Sequence, residues 1–428
     1  MKKRIVREIG TLAIGGFAAQ AIGLALSPVV ARLYAPESYA VLTVFLTVVT
    51  ICLPAICGKY EIAVVVAGTD RHARELVGLC FWLAGAISGT LLIVTLFFGE
   101  YITSWLGGPN LGWWIVAAPP FMFVSAVTVI MTNHANRHRE YRALSTLALV
   151  QAVAIALMNL TFGFMGLEAT GLLIGNCLAT LLGSLWILAK FRNSFSLSDM
   201  RWNEAKRDVA KKYLDFPLYN GTSTLLNAIT LGMPVFFIAH LCSAETVGFY
   251  GLLMRVAQVP LAVISGSVMQ VLLRQMSATV REGQNATPFL FRVTMALLAL
   301  VAVPTLVLVL WAPELFSWAF GERWREAGAL LTILMPTLAL QFVVSTVSPT
   351  FGATGHNALA AVWKVIAFLV TLAVFVFVAP SLNVQGIFVA IAIMNAALYA
   401  LYYALAWYCA RNPRLVVMLS CTDAATSD

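Results

Sequence analysis

Charge is what this chain has least of. Only 11% of its 428 residues are Asp, Glu, Lys or Arg, against about 25% in a soluble domain. The acidic sign is the scarcer, and within the long apolar runs almost its only representative is Glu61. An exporter that holds cations on buried carboxylates is disfavoured by that pattern. Absent motifs exclude more. No GxxxxGK[ST] loop is present to cradle nucleotide phosphates, and there is no GxSxG or HExxH for hydrolysis. His72, His134, His138, His240 and His356 make no metal cluster; His134 and His138 are four apart, but Glu140 is their only acidic neighbour. The seven cysteines form no CxxC pair, and only Cys242 falls in a loop on the expected outer side, so no disulfide framework is implied. No cofactor, metal or catalytic constellation is expected.

What is present is hydrophobic length. Residues of apolar type make up 61% of the chain, in runs far longer than the roughly 10-residue alternating segments of a membrane barrel. They divide into twelve spans at about 9–31, 39–66, 75–98, 111–131, 143–164, 168–189, 216–239, 248–273, 289–311, 326–347, 359–379 and 385–409. The fold class is thus an all-α integral membrane protein. The N-terminal MKKRIVREIG and its apolar run exceed a signal-peptide h-region of roughly 7–15 residues, and read as a retained first span.

The net charge of +8 follows from topology rather than from a nucleic-acid surface. Of the 27 lysines and arginines, Arg32, Arg323 and Arg325 fall on one side of the spans, and Lys59, Arg255 and Lys364 fall within them. All others share the side of the two termini, which places both termini in the cytoplasm. The longest polar connection, Lys190 to Asp215, contains the basic amphipathic stretch MRWNEAKRDVAKKYL, expected on the cytoplasmic leaflet. It divides the chain into a six-helix lobe (1–195), a linker (196–215) and a second six-helix lobe (216–428).

The two lobes repeat. Tyr34-Ala-Pro-Glu37-Ser-Tyr-Ala40 corresponds to Cys242-Ser-Ala-Glu245-Thr-Val-Gly248, and Gly58 and Gly266 follow at equal distances. Glu100 to Gly107 corresponds to Glu314 to Gly321, and Pro28 to Pro234. Both halves start on the same side, so the repeat is parallel, and substrate sites in such proteins lie between the halves.

Intramembrane polar residues mark candidate sites. Arg255 lies about two turns in from Gly248, roughly 11 Å at 1.5 Å per residue. Gln258, Ala262, Ser265 and Met269 continue its face at steps of three and four. Two readings stand: a cavity-lining stripe, or an Arg that snorkels to the nearer surface. Helix seven carries Asn220, Ser223, Thr224, Asn227 and Thr230, as a cavity wall or as interhelical hydrogen bonds. Helix two carries Thr43, Thr47 and Thr50, then Gly58-Lys59-Tyr60-Glu61. Lys59 and Glu61, two apart, do not face each other on a helix; each needs another partner, or the helix ends at Gly58 and both are solvated. Gly15, Ala19 and Gly23 form a close-packing face. Asn395, Tyr399 and Tyr402 share one side of helix twelve, to stack on sugar rings or to form an interfacial belt.

The runs SPVVARLYAPESYAVLTVF and GKYEIAVVVAGTDRHA resemble the start of bacterial polysaccharide or O-antigen (Wzx-like) flippases of the multidrug/oligosaccharidyl-lipid/polysaccharide exporter superfamily. Members read P-x-x-x-R-L-Y-x-P-E-x-Y/F-G and then G-R/K-Y-E-x-A-I-V. Ala40 departs from the usual Gly, and Lys59 stands where Arg is frequent. The match is close over the first 75 residues and looser beyond. The resemblance implies two lobes in the bacterial inner membrane and a polyprenyl-pyrophosphate-linked oligosaccharide as cargo, turned over without enzymatic chemistry. It also implies membrane lipids as surroundings, with a polysaccharide polymerase and a chain-length regulator as partners. On it, Arg255 and Lys59 are expected at the diphosphate, with Arg32 and Lys364 as further cations. Asn220, Thr224, Asn227 and Gln258 are expected along the sugar path, and Glu61 at ion coupling. Rival readings are a multidrug/cation antiporter or a lipid II flippase of the same superfamily, or a membrane-embedded glycan polymerase or ligase. The last would need a large outer loop, whereas the longest outer connection here has about a dozen residues.

Overall fold

The computed structural model describes the backbone of residues 2–106, 111–194, 201–282 and 284–413. Ala262 of the expected stripe, Gly107 of the repeat, the 195/196 lobe boundary, Arg414, Cys421 and the side chains of Lys2, Lys3, Arg4 and Arg7 lie outside the described residues. Among the described residues fifteen α-helices follow one another: α1 (Lys2–Leu33), α2 (Pro36–Ile56), α3 (Tyr60–Val66), α4 (Asp70–Trp105), α5 (Trp114–Arg137), α6 (Tyr141–Phe164), α7 (Glu168–Lys190), α8 (Glu204–Lys212), α9 (Thr222–Leu241), α10 (Ala244–Arg281), α11 (Thr287–Phe320), α12 (Arg325–Thr346), α13 (Pro349–Ala353), α14 (Asn357–Ala373) and α15 (Val384–Arg411). Among the described residues, eleven segments are long and apolar enough to cross a bilayer. The 38-residue α10 holds the remaining expected span. The chain is a multi-pass membrane protein of two six-helix lobes. The face that holds both described chain ends, where most cations gather, is called the basic face below.

Local chemistry sets the element ends. α2 starts with Pro36 in its first turn, where a missing N–H is harmless. Its repeat counterpart α10 starts one residue after Ser243, whose hydroxyl accepts from Thr246 N–H at 3.4 Å. Asn383 caps α15 in the same way at 2.8 Å. The second span does not run straight through 39–66. Pro54 lies within α2, which stops two residues later, and Gly58 and Lys59 then turn left-handed at φ 56° and 61°. For Lys59 that conformation costs roughly 1 kcal/mol, since it has a Cβ.

Small residues set the close approaches. Gly248 lies against the backbone of Pro36, and Gly251 against Thr43, so α10 and α2 meet near their first turns. Gly232 of α9 abuts Thr47 and Ile51 of α2. Gly15 abuts Ser145 of α6, but Gly23 has nothing within 4 Å, so the expected α1 packing face does not extend that far. On the face opposite the basic one, Trp324 is fully buried between the lobes. Its indole donates to Ala31 O at 2.9 Å, and its ring meets Tyr39 edge-on at 5.0 Å and Phe249 at 5.9 Å.

The amphipathic linker helix α8 docks on α4. Fully buried Lys206 pairs with Glu75 at 2.8 Å, Asn203 donates to the same carboxylate at 3.3 Å, and Tyr60 donates to Ala210 O at 3.0 Å. Burial of that lysine requires the paired acid, so α8 is anchored to the first lobe. A π-helical turn, Phe216–Gly221, leads from it into α9 and touches the Gly58 turn.

Candidate functional site

The spacing of polar residues on α9 and α10 turns them inward, onto a cavity of about 740 Å³. Its walls are α2, α9, α10, α14 and α15, with Asn176 entering from α7 and Gln341 from α12. That volume suits a bound organic ligand.

Of the residues singled out by sequence, Arg255, Lys364, Thr224, Asn227 and Gln258 all line this space. Arg255 is half-buried and has no ion pair or hydrogen bond among the described residues. An intramembrane guanidinium without a carboxylate calls for an anion. Lys364 is half-buried, and its ammonium donates to Ser223 Oγ at 2.7 Å. No Asp or Glu lines the cavity among the described residues.

The neutral lining is of two kinds. Threonine hydroxyls donate along their own helices: Thr43 to Tyr39 O and Thr47 to Thr43 O at 2.7 Å, Thr224 to Asn220 O at 2.7 Å, Thr230 to Leu226 O at 2.8 Å. Their oxygens therefore face the cavity as acceptors. The carboxamides of Asn227, Asn395 and Gln341 have no hydrogen bond among the described residues and offer both donors and acceptors. Trp363 adds an aromatic surface, fixed by its N–H to Leu398 O at 3.0 Å and lying 5.9 Å from the Tyr399 ring.

Four expected residues lie elsewhere. Arg32 is on the face opposite the basic one, donating to Ala319 O at 3.1 Å and Trp318 O at 2.5 Å. Asn220 is exposed in the π-helical turn and outside the cavity. Lys59 and Glu61 also lie outside it, and they do meet, at 3.4 Å. Helical geometry forbids that pairing, but the left-handed turn at Lys59 permits it. Glu61 is only 3% exposed, so it is not solvated either. Ser265 accepts from Thr346 of α12 at 3.0 Å and so leaves the Arg255 stripe. On α15, Asn395 and Tyr399 reach the cavity, whereas Tyr402 packs on Phe351 and Trp363.

Asn176, Gln341, Trp363, Tyr39 and Tyr250 were not singled out. The two carboxamides carried a signal: each is the one Asn or Gln in an apolar run, and Asn176 is 6% exposed. The aromatics carried none, because core and cavity aromatics look alike in sequence.

Known proteins share this architecture. A family model described as polysaccharide biosynthesis protein matches residues 29–329. The succinoglycan biosynthesis transport protein ExoT of Rhizobium meliloti (strain 1021) is 22% identical over 374 residues, covering 86% of this chain and 73% of its own. Among solved structures, the lipid II flippase MurJ in an inward closed conformation superposes with a TM-score of 0.73 at 13% identity, over 92% of this chain and 86% of its own. An inward-facing multidrug resistance MATE family transporter of the MOP superfamily gives 0.69 at 17% identity, over 93% and 98%. These structures share the fold.

Proposed function

The chain belongs to the polysaccharide biosynthesis protein family, and on that premise we propose that it is a flippase. Its cargo is an oligosaccharide linked through diphosphate to a polyprenyl lipid, and its membrane is the bacterial cytoplasmic one, with both termini in the cytoplasm. The observation that carries this reading is the cavity: an unpaired Arg255 among carboxamides and threonine acceptors, with no carboxylate in the described lining. A diphosphate supplies the anion for Arg255. Sugar hydroxyls donate to the threonines and exchange hydrogen bonds with Asn227, Asn395 and Gln341. The prenyl tail stays in lipid.

Transport proceeds by alternating access without covalent chemistry. Segments 1–195 and 216–428 rock against each other about the α2–α10 crossing, with 196–215 as the strap. On this reading the face that the Trp324 and Arg32 contacts hold together is the periplasmic one. A polymerase and a chain-length regulator act on the delivered unit. The described lining, without Asp or Glu, argues against a cation antiporter, which must bind positive charge.

The test is genetic. Deletion of the gene is expected to abolish the surface glycan and to accumulate the lipid-linked unit on the cytoplasmic leaflet. Arg255→Ala at normal protein level is expected not to rescue. Unchanged surface glycan, with new sensitivity to cationic dyes, overturns the reading.

A further inference from the structure

Among the described residues two cations line the cavity, and helix geometry sets them at different depths. Gly251 abuts Thr43, and α2 and α10 run in the same direction. Arg255 is four residues beyond Gly251, as Thr47 is beyond Thr43, so Arg255 stands level with Thr47. Thr47 in turn abuts Gly232 of α9. Lys364 is level with Ser223, because its ammonium is bonded there at 2.7 Å. Ser223 precedes Gly232 by nine residues of helix, roughly 13 Å toward the basic face at 1.5 Å per residue. The side chains widen the gap. A helical side chain leans toward its helix N-terminus, which for α10 is the opposite face, while Lys364 is tied to α9 near the basic face. A diphosphate, two phosphorus atoms on one bridging oxygen, cannot touch both.

The surroundings of the second cation differ from those of the first. Trp363 precedes it on α14, with Tyr399 and Asn395 on the neighbouring α15. A cation beside an aromatic platform and a carboxamide fits a sugar ring that carries an acid. The ammonium has three donors and uses one on Ser223; no carboxylate in the described lining neutralises it.

Resting on the flippase reading above, we propose that Lys364, Trp363, Tyr399 and Asn395 form a second anionic subsite, and that the transported glycan is acidic. It carries a uronate, or another acidic substituent, about two sugars from the diphosphate.

Two probes decide this: short-chain prenyl diphosphate disaccharides, identical except for a distal glucose or a distal glucuronate. Binding is read by tryptophan fluorescence on the full chain in nanodiscs of zwitterionic lipid. The glucuronate probe is expected to bind about tenfold tighter, the lower end of a charged hydrogen bond. Lys364→Met is expected to make the two probes bind alike, and Lys364→Arg to keep the preference, which also shows that the position tolerates change. Equal binding of both probes to the native chain overturns the acidic subsite and leaves the flippase reading standing, as does a preference that survives in Lys364→Met. Binding of neither probe overturns both. Phosphatidylglycerol in the discs separates a lipid headgroup from a sugar acid: an undiminished preference supports the sugar, and a preference lost to the lipid overturns it.

Discussion

Gly248 of α10 stands against the carbonyl of Pro36 in α2 with no room for a methyl group between them. The two residues belong to corresponding stretches of the sequence repeat, so the lobes touch along their own symmetry relation. Gly248→Val must drive α2 and α10 apart. The expected loss is about 1–3 kcal/mol, the usual range for overpacking, read as a lower unfolding temperature in detergent. Gly266→Ala, with nothing within 4 Å of the added methyl among the described residues, is expected to change little.

Trp324 and Arg32 close the lobes on the face opposite the basic one. Trp324→Phe keeps the ring packing and removes the hydrogen bond to Ala31 O, worth about 1 kcal/mol. Arg32→Ala removes the two bonds to α11. In the double variant, a cysteine placed at Thr43 is expected to react faster with a membrane-impermeant thiol reagent added from that face. Unchanged reactivity means that these residues do not hold the closure.

Partly exposed Lys59 pairs with buried Glu61, whose second carboxylate oxygen, Oε2, has no hydrogen-bond partner among the described residues. Lys59→Met leaves the acid alone in the interior and is expected to cost about 2–3 kcal/mol, somewhat below a fully buried pair because Lys59 is partly exposed. Glu61→Gln is expected to cost less, and adding it to Lys59→Met to restore part of the loss. Thermal unfolding of the three variants checks the order.

Lys206 holds α8 on α4 through Glu75. Lys206→Ala strands that carboxylate and frees the strap, and faster tryptic cleavage at Arg201 and Lys211 is the expected result. Glycan export is expected to fall with it.

Arg255→Lys tests the chemistry of the first cation. Lysine keeps the charge but loses the planar fork that grips two phosphate oxygens. A loss of about tenfold in binding of a prenyl diphosphate is expected, between the native chain and Arg255→Ala.

Much of this was legible along the chain. The expected spans fall largely on helices of the structure, eleven of which are long and apolar enough to cross a bilayer among the described residues, because a bilayer imposes one length and one apolarity on every crossing. Arg255, Gln258, Thr224 and Asn227 were visible as polar residues that hydrocarbon does not tolerate without a use. The pairing of Lys59 with Glu61 was not legible: on a regular helix they do not face each other, and past a helix end at Gly58 they were expected to be solvated, whereas two left-handed residues turn them together. Asn220 was misplaced because the start of α9 is wound as a π-helix, which rotates that residue off the α-helical stripe.

The sequence by itself determined the membrane class, the long apolar helices, the repeat and the scarcity of acid, since each follows from composition and spacing along one strand of chain. Only the tertiary structure decided which polar faces share a cavity. It turned Asn176 and Gln341 inward, tied Lys364 to Ser223, engaged Arg32 on α11 and paired Lys59 with Glu61. Those outcomes depend on where helices distant in sequence cross, and the crossings depend on glycines whose partners no local pattern names.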